Sequence, residues 1–174
     1  MEYITNVFGA TIDIANARTT FGDDDTWVGG LIWGHPEESL FIGTGIIDGP
    51  VSMETYVLDA APDRVDAGWE DVSEVSFWAA GLEPVIVAGT EDFLEGTSPA
   101  FTARIDEAGE GWYRIRVHAL GRDVLAGEWS EAVVEHYLVL AWKAPEADPL
   151  VYRVGSNLAR EAIEAHGLGG LRGR

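Results

Sequence analysis

The chain has 174 residues, of which 47% are hydrophobic and 24% are charged, and this composition excludes wholesale disorder. It contains no cysteine, which excludes disulfides, thiol chemistry and cysteine-based zinc sites. No apolar run approaches the roughly 20 residues that span a bilayer, and the N-terminus lacks the pattern of a secretory signal. We therefore expect a soluble, cytoplasmic protein that has no membrane partner.

Short apolar segments, separated by clusters of Gly, Pro, Asp and Ser, recur along the chain and predict β-strands. The predicted strands cover residues 3–8, 11–15, 27–33, 40–47, 51–58, 72–78, 84–88, 101–105, 112–119, 133–142 and 150–154. No segment between them has the pattern of a crossover helix. The expected fold class is therefore mainly β, with an antiparallel β-sandwich as the architecture.

Two of these strands have informative patterns. In WYRIRVHA the residues alternate, so that Arg114, Arg116 and His118 share one face and apolar residues share the other. This period of two predicts a strand with one buried and one solvent-exposed face. In VVEHYLVLAW both faces are apolar beyond Glu135 and His136, which predicts a central strand.

A short helix is predicted at the C-terminus. Ser156 or Asn157 can cap a helix over residues 158–166, and Gly167 can end it. The glycine-rich tail GLGGLRGR is expected to fray. These features predict a single β-sandwich domain over residues 1–155, followed by a helix and a flexible tail over residues 156–174.

The net charge of −19 is unevenly distributed. Residues 1–103 contain two basic and nineteen acidic residues and carry nearly all of the excess. Such a field repels nucleic acid and attracts basic proteins or cations, although acidity can also serve solubility alone. The candidate acidic face for a basic protein partner consists of Asp23, Asp24, Asp25, Glu37 and Glu38.

The sequence offers no metal-binding pattern. The run GDDD at Asp23–Asp25 could supply oxygen ligands to Ca²⁺, but it lacks EF-hand spacing, and a solvated acidic turn is the alternative interpretation. The four histidines match neither an HExxH motif nor a facial triad. We predict no metal site and no cofactor.

Motifs for catalysis are missing as well. The chain has no GxSxG elbow, no GxGxxG fingerprint and no Walker motif. Its thirty acidic residues supply many accidental carboxylate pairs, so no pair stands out as a glycosidase site. A non-enzymatic binding protein is therefore expected.

Three tryptophans lie beside predicted turns or at strand starts, namely Trp69, Trp112 and Trp129. Exposed aromatic side chains serve as anchors of protein interfaces or as platforms for sugars. The alternative is that they close the ends of the sandwich.

The run GWYRIRVHALGRD is the most basic segment of this acidic chain. Arg114 and Arg116 can neutralise carboxylates of a neighbouring strand, such as Glu135, through cross-strand pairs worth about 0.2–1 kcal/mol each. The alternative is that Arg114, Arg116 and His118 form an anion-binding or interface strip. We expect internal neutralisation.

The same segment resembles a group of uncharacterised actinobacterial proteins with a Gly-x-Tyr-Arg-x-Arg-Val-His strand and a Glu-x-Tyr-Leu-x-x-x-Trp strand. The matching positions are Gly68, Trp69, Glu70, Val75, Phe77, Gly111, Tyr113, Arg114, Arg116, Val117, His118, Glu135, Tyr137, Leu138 and Trp142. More distantly, the layout is similar to the competence-associated nuclease inhibitors (ComJ-like proteins), which are acidic β-sandwich proteins. That resemblance implies an inhibitor or immunity protein acting on a nuclease or toxin, and it brings no catalytic residues.

Three functions therefore stay open from the sequence. The favoured one is an acidic domain that binds a basic protein. The second is a calcium- or carbohydrate-binding sandwich that uses GDDD or exposed tryptophans. The third is a structural or assembly subunit whose strand edges mediate oligomers.

Overall fold

The structure, a computed structural model, describes residues 1–15, 26–81, 84–95 and 104–173. Strands predominate in these ranges, as predicted, and two helices accompany them. The elements are β1 (Glu2–Phe8), β2 (Thr11–Ala15), β3 (Ile32–His35), β4 (Ser39–Gly43), β5 (Asp48–Leu58), β6 (Asp71–Ala79), β7 (Ile86–Gly89), α1 (Thr90–Glu95), β8 (Gly111–Leu120), β9 (His136–Lys143), β10 (Leu150–Arg153), α2 (Asn157–His166) and β11 (Leu171–Arg172).

The strands form one sheet in the order β11-β10-β6-β8-β9-β5-β1-β2-β4-β3, with β7 paired to β2 as well. The pairs β5–β9 and β10–β11 are parallel, and the other pairs are antiparallel. The sheet is therefore mixed and curls into a half-barrel, where the sequence predicted a wholly antiparallel sandwich. As predicted, β9 is a central strand, because it lies between β8 and β5.

One apolar cluster fills the inside of the curled sheet. It draws fully buried side chains from strands far apart in the order, such as Ile42 of β4, Val51 of β5 and Val151 of β10. Burying each aliphatic side chain of this kind contributes about 1.5–3 kcal/mol. This shared core ties both ends of the sheet together.

The C-terminal helix begins where the sequence predicts. Ser156 caps α2, since its hydroxyl oxygen accepts a hydrogen bond from the Ala159 amide, and Gly167 follows its last residue. Buried Asp71 of β6 accepts hydrogen bonds from the amides of Gly155 and Ser156 and from the Ser156 hydroxyl. The start of α2 is therefore fixed to the sheet by one carboxylate.

Several local features differ from the predictions. Helix α1 follows β7 directly and was not predicted, and the strand expected at residues 27–33 begins only at Ile32. The tail, expected to fray, contains β11, which pairs with Leu150 and Val151. Of the strand predicted over 101–105, residues 101–103 lie outside the described residues. No helix in the described ranges is both long and apolar enough to cross a membrane.

Candidate protein-binding surface

The basic strand β8 is buried on both faces. Arg114 and Arg116 are each 4% exposed, so the prediction of a solvent-exposed face is wrong. Their nearest carboxylate is Glu74 of β6, whose two oxygens accept hydrogen bonds from the Nε atoms of Arg114 and Arg116, each at 2.8 Å. Both guanidinium groups are thus held by one buried carboxylate.

Two loops cover this face of the sheet. Arg114 donates to the carbonyl oxygens of Ala147 (2.7 Å) and Asp148 (3.2 Å), which follow β9. Arg116 donates to the carbonyl oxygen of Pro62 (3.4 Å), which follows β5. The alternation in the sequence was correct, but the polar face lies beneath these loops.

Internal neutralisation uses other carboxylates than the sequence suggested. Glu135 accepts hydrogen bonds from the backbone amides of Gly45 (3.0 Å) and Ile46 (2.6 Å) and from the Tyr137 hydroxyl, and it forms no ion pair with Arg114 or Arg116. Burial is the largest cause of the raised pKa of Glu135. Its role is to hold the turn between β4 and β5.

The remaining basic side chain of the run is buried too. Arg122 donates to Asp71 (2.8 Å) and to the carbonyl oxygen of Gly30 (3.1 Å). The loop after β8 is therefore joined by one arginine to β6 and, through Asp71, to α2.

His118 carries no positive charge at neutral pH. Its ring is 2% exposed, lies beside Trp69 and has Nδ1 3.3 Å from the carbonyl oxygen of Leu138. Burial, and to a lesser degree the positive charge of Arg116, lowers its pKa to about 4, although the contact with Leu138 opposes the shift. Because all three are buried, Arg114, Arg116 and His118 do not form an exposed strip along β8.

The surface of the described residues is acidic. The exposed carboxylates of the described residues lie on nearly every element and loop. They are Glu2, Glu37, Glu38, Asp59, Asp63, Asp66, Glu91, Glu95, Glu107, Glu110, Asp123, Glu128, Glu131, Glu146, Asp148, Glu161 and Glu164. In the described part of the chain, six carboxylates are buried as well as three arginines, so the acidity of the surface comes from the excess of these exposed carboxylates over the exposed basic side chains.

Exposed apolar side chains lie next to part of this acidic surface. Phe8 of β1 pairs in register with Asp48 of β5, and Asp48 forms a bridge to Trp129. Residues paired in this way project from the same face of a sheet, so Phe8 and Trp129 flank Asp48. Phe8 is 59% exposed and Trp129 is 66% exposed, and Ile47, which precedes Asp48 in the chain, is 46% exposed. We call Phe8, Ile47, Asp48 and Trp129 the Trp129 patch.

Two further carboxylates, those of Glu91 and Glu128, belong to residues near the Trp129 patch. The pKa of Glu91 is raised by partial burial and then by the negative charges of Asp48, Glu95 and Asp92, which places Glu91 in the same acidic field. Glu128 precedes Trp129, and its carbonyl oxygen accepts a hydrogen bond from the Ile47 amide at 2.7 Å. Asp48, Glu91 and Glu128 form no ion pair within the described part of the chain.

The structure describes two of the five residues of the predicted acidic face. Glu37 and Glu38 are exposed and lie in the turn between β3 and β4. The Trp129 patch lies near the other end of β4, where the Thr44 amide donates to Ala10. Asp23, Asp24 and Asp25 lie outside the described residues. Glu37 and Glu38 therefore do not belong to the Trp129 patch.

Metal ligands do not converge in the ranges that the structure describes, where no group of three His, Asp or Glu side chains could hold an ion. The sequence left two interpretations open for Trp69, Trp112 and Trp129, and the structure shows Trp129 exposed and the other two half-buried. No sequence pattern pointed to Phe8 or Asp48, because their position beside Trp129 depends on strand register.

No family model matches the chain, and no curated protein matches its sequence. Among solved structures, the chain is similar to a protein described as Crocagin biosynthetic gene J. The two share 12% sequence identity at a TM-score of 0.44, and the match covers 84% of this chain and 99% of the other. A likeness at this level supports no inference about function.

Proposed function

We propose that this chain is a non-enzymatic binding domain that holds a basic protein on the Trp129 patch. The observation that carries the proposal is the pair of exposed aromatic side chains, Phe8 and Trp129, on either side of Asp48. Large aromatic side chains supply much of the binding energy of protein interfaces. Unpaired carboxylates around them favour a partner of opposite charge.

An inhibitor or immunity protein fits this chemistry. Nucleases bind a polyanion through basic clefts, and carboxylates on a small acidic domain can occupy the places of the phosphates. Charge complementarity also raises association rates, toward about 10⁸–10⁹ M⁻¹s⁻¹ at low salt. A nuclease or a similar basic toxin is therefore the class of partner we propose.

Replacing Trp129 with serine is expected to weaken binding of the basic partner by about 30-fold or more, the loss typical of a central aromatic anchor. The wild-type chain is first immobilised and used to capture a protein from lysate, with elution by stepped salt. The captured protein is then purified, and its dissociation constant is measured for each variant. Because Trp129 is exposed, its replacement should leave the melting temperature nearly unchanged.

Two control variants make this test specific. Tyr56→Ser replaces an exposed aromatic residue on the same face of β5, roughly 26 Å along the strand from Asp48, and should leave binding unchanged. Glu37→Lys with Glu38→Lys reverses charge at the other end of β4. If this double variant abolishes binding and Trp129→Ser does not, the interface lies at the sequence-predicted acidic face and the patch is wrong. Capture of no basic protein would contradict the proposed function as a whole.

A further inference from the structure

A cleft of about 1000 Å³ lies on a different part of the molecule from the Trp129 patch. It is lined by residues 62–65 of the loop after β5, by β10 and β11, and by the side chain of Arg116. Four arginines line it, together with one tyrosine and one carboxylate. We call Arg64, Arg116, Arg153, Arg172, Tyr152 and Asp63 the arginine cleft.

The inner arginine of the cleft is fixed in place. Arg116 donates through Nε to Glu74 and through Nη2 to the Tyr152 hydroxyl at 3.2 Å. Its guanidinium lies over the rings of Tyr152 and Trp142, at 4.6 and 5.4 Å from their centroids. Its orientation is therefore set before any ligand arrives, which lowers the entropic cost of binding.

The positive charge of the cleft is not balanced from within. Glu74 is shared between Arg114 and Arg116, so this buried cluster keeps one net positive charge. Within the described part of the chain, Arg153 donates to the carbonyl oxygens of Asp66 (3.0 Å) and Trp69 (2.7 Å), which carry no formal charge.

The outer arginines are unpaired as well. Arg64 and Arg172 are exposed and form no ion pair with any carboxylate of the described residues. Asp63 is the one carboxylate among the residues that line the cleft. Four guanidinium groups around one carboxylate make a local excess of positive charge on an otherwise acidic surface.

We infer that the arginine cleft binds a small molecule that carries phosphate groups. A guanidinium presents its N–H groups in a planar fork that matches phosphate and carboxylate oxygens. A terminal phosphate offers three oxygens and can contact several arginines at once, whereas a carboxylate offers two. The volume of the cleft falls within the range of small-molecule sites.

The size of the ligand follows from the charges outside the cleft. Charges on the surface are screened beyond about 8 Å at physiological ionic strength, so a compact anion inside the cleft responds mainly to the arginines. A long polyanion would extend over the surrounding carboxylates, including those of Asp59 and Asp66. The cleft therefore favours a small phosphorylated compound over nucleic acid.

Inorganic pyrophosphate is the probe for this inference, titrated into the full chain at physiological ionic strength by isothermal titration calorimetry. We expect saturable binding at one site. The double variant Arg64→Gln with Arg172→Gln should weaken that binding by about tenfold or more, because two charge-assisted contacts are lost. Asp63→Asn should tighten it, because the one opposing charge is removed.

The matched control is Arg160→Gln, which removes one exposed arginine of α2 that does not line the cleft and donates to Asn157. It should bind pyrophosphate like the wild type. The absence of saturable binding, or equal binding by the double variant and Arg160→Gln, would overturn the inference. Citrate serves as the carboxylate competitor, and citrate binding as tight as that of pyrophosphate would overturn the assignment to phosphate.

Discussion

Replacing Glu74 with glutamine is expected to lower the free energy of unfolding by about 3–5 kcal/mol, because it leaves two buried guanidinium groups without their counter-charge. Glu74 is 4% exposed and accepts hydrogen bonds from Arg114, Arg116 and the Tyr152 hydroxyl. Glutamine keeps one acceptor oxygen, but its amide nitrogen is a donor that would face an arginine donor. Both the charge and one acceptor are therefore lost.

The measurement is urea denaturation at neutral pH, with Glu131→Gln as the control. Glu131 is exposed, and its replacement should change the free energy of unfolding by less than about 0.5 kcal/mol. A triple variant tests the physical cause, because Glu74→Leu with Arg114→Met and Arg116→Met removes the charges together and should recover most of the stability. A loss below about 1 kcal/mol in Glu74→Gln would show that the cluster is hydrated rather than dry.

The strands could be predicted because they depend on local patterns. The period of two in WYRIRVHA predicts β8, and the apolar run of VVEHYLVLAW predicts a central strand. What covers β8 could not be predicted, because Arg114 and Arg116 meet backbone carbonyls 33 and 54 residues away in the chain. Sequence spacing carries no information about such contacts, and the polar face was therefore taken as exposed.

The carboxylate that pairs with Arg114 and Arg116 was predicted wrongly for the same reason. Glu135 is close in sequence to the predicted hairpin of β8 and β9, so it was the natural choice. The register instead places Glu74 of β6 directly opposite Arg116. A signal was present, because Glu74 lies inside the strand DVSEVSFWA, whose other residues after Asp71 are apolar or small, and a charge at such a position needs a buried partner.

The Trp129 patch could be predicted from the sequence only in part. Trp129 was one of three tryptophans that the sequence placed beside turns or at strand starts, where exposure and closure of the sandwich were both open. Phe8 and Asp48 lie more than eighty residues away in the chain from Trp129, and only the pairing of β1 with β5 and the bridge to Trp129 bring them together. The separation of Glu37 and Glu38 from this patch likewise follows from the direction of β4.

Because Asp13 is buried, we expect the free energy of unfolding to fall as the pH rises from about 4 to 6. Asp13 lies in β2 between Phe41 of β4 and Ala88 of β7, and it is 5% exposed. Burial raises its pKa to about 6, although the hydrogen bond with Thr90 opposes the shift. The Thr90 hydroxyl has one proton and lies 2.9 Å from the Thr11 carbonyl oxygen, so a protonated Asp13 can donate to Thr90 while Thr90 donates to Thr11.

The sign of the effect follows from linkage. Because the pKa is higher in the folded chain than in the unfolded one, the stabilisation from the protonated carboxyl is complete below about pH 4 and is lost as the pH rises through about 6. The loss amounts to about 3 kcal/mol, on the basis of 1.36 kcal/mol per pKa unit. Asp13→Asn, which keeps the shape and cannot ionise, should therefore be more stable than the wild type at pH 7–8 by roughly this amount.

The free energy of unfolding of both chains is measured by urea denaturation at intervals between pH 4 and pH 8. The expected result is a difference near zero at pH 4 that grows in favour of Asp13→Asn up to about pH 7. Asp59→Asn, at an exposed position after β5, removes the same formal charge and should show little change with pH. A difference for Asp13→Asn that stays constant across this range would mean that the carboxyl is hydrated in the folded chain and ionises there as it does in the unfolded one.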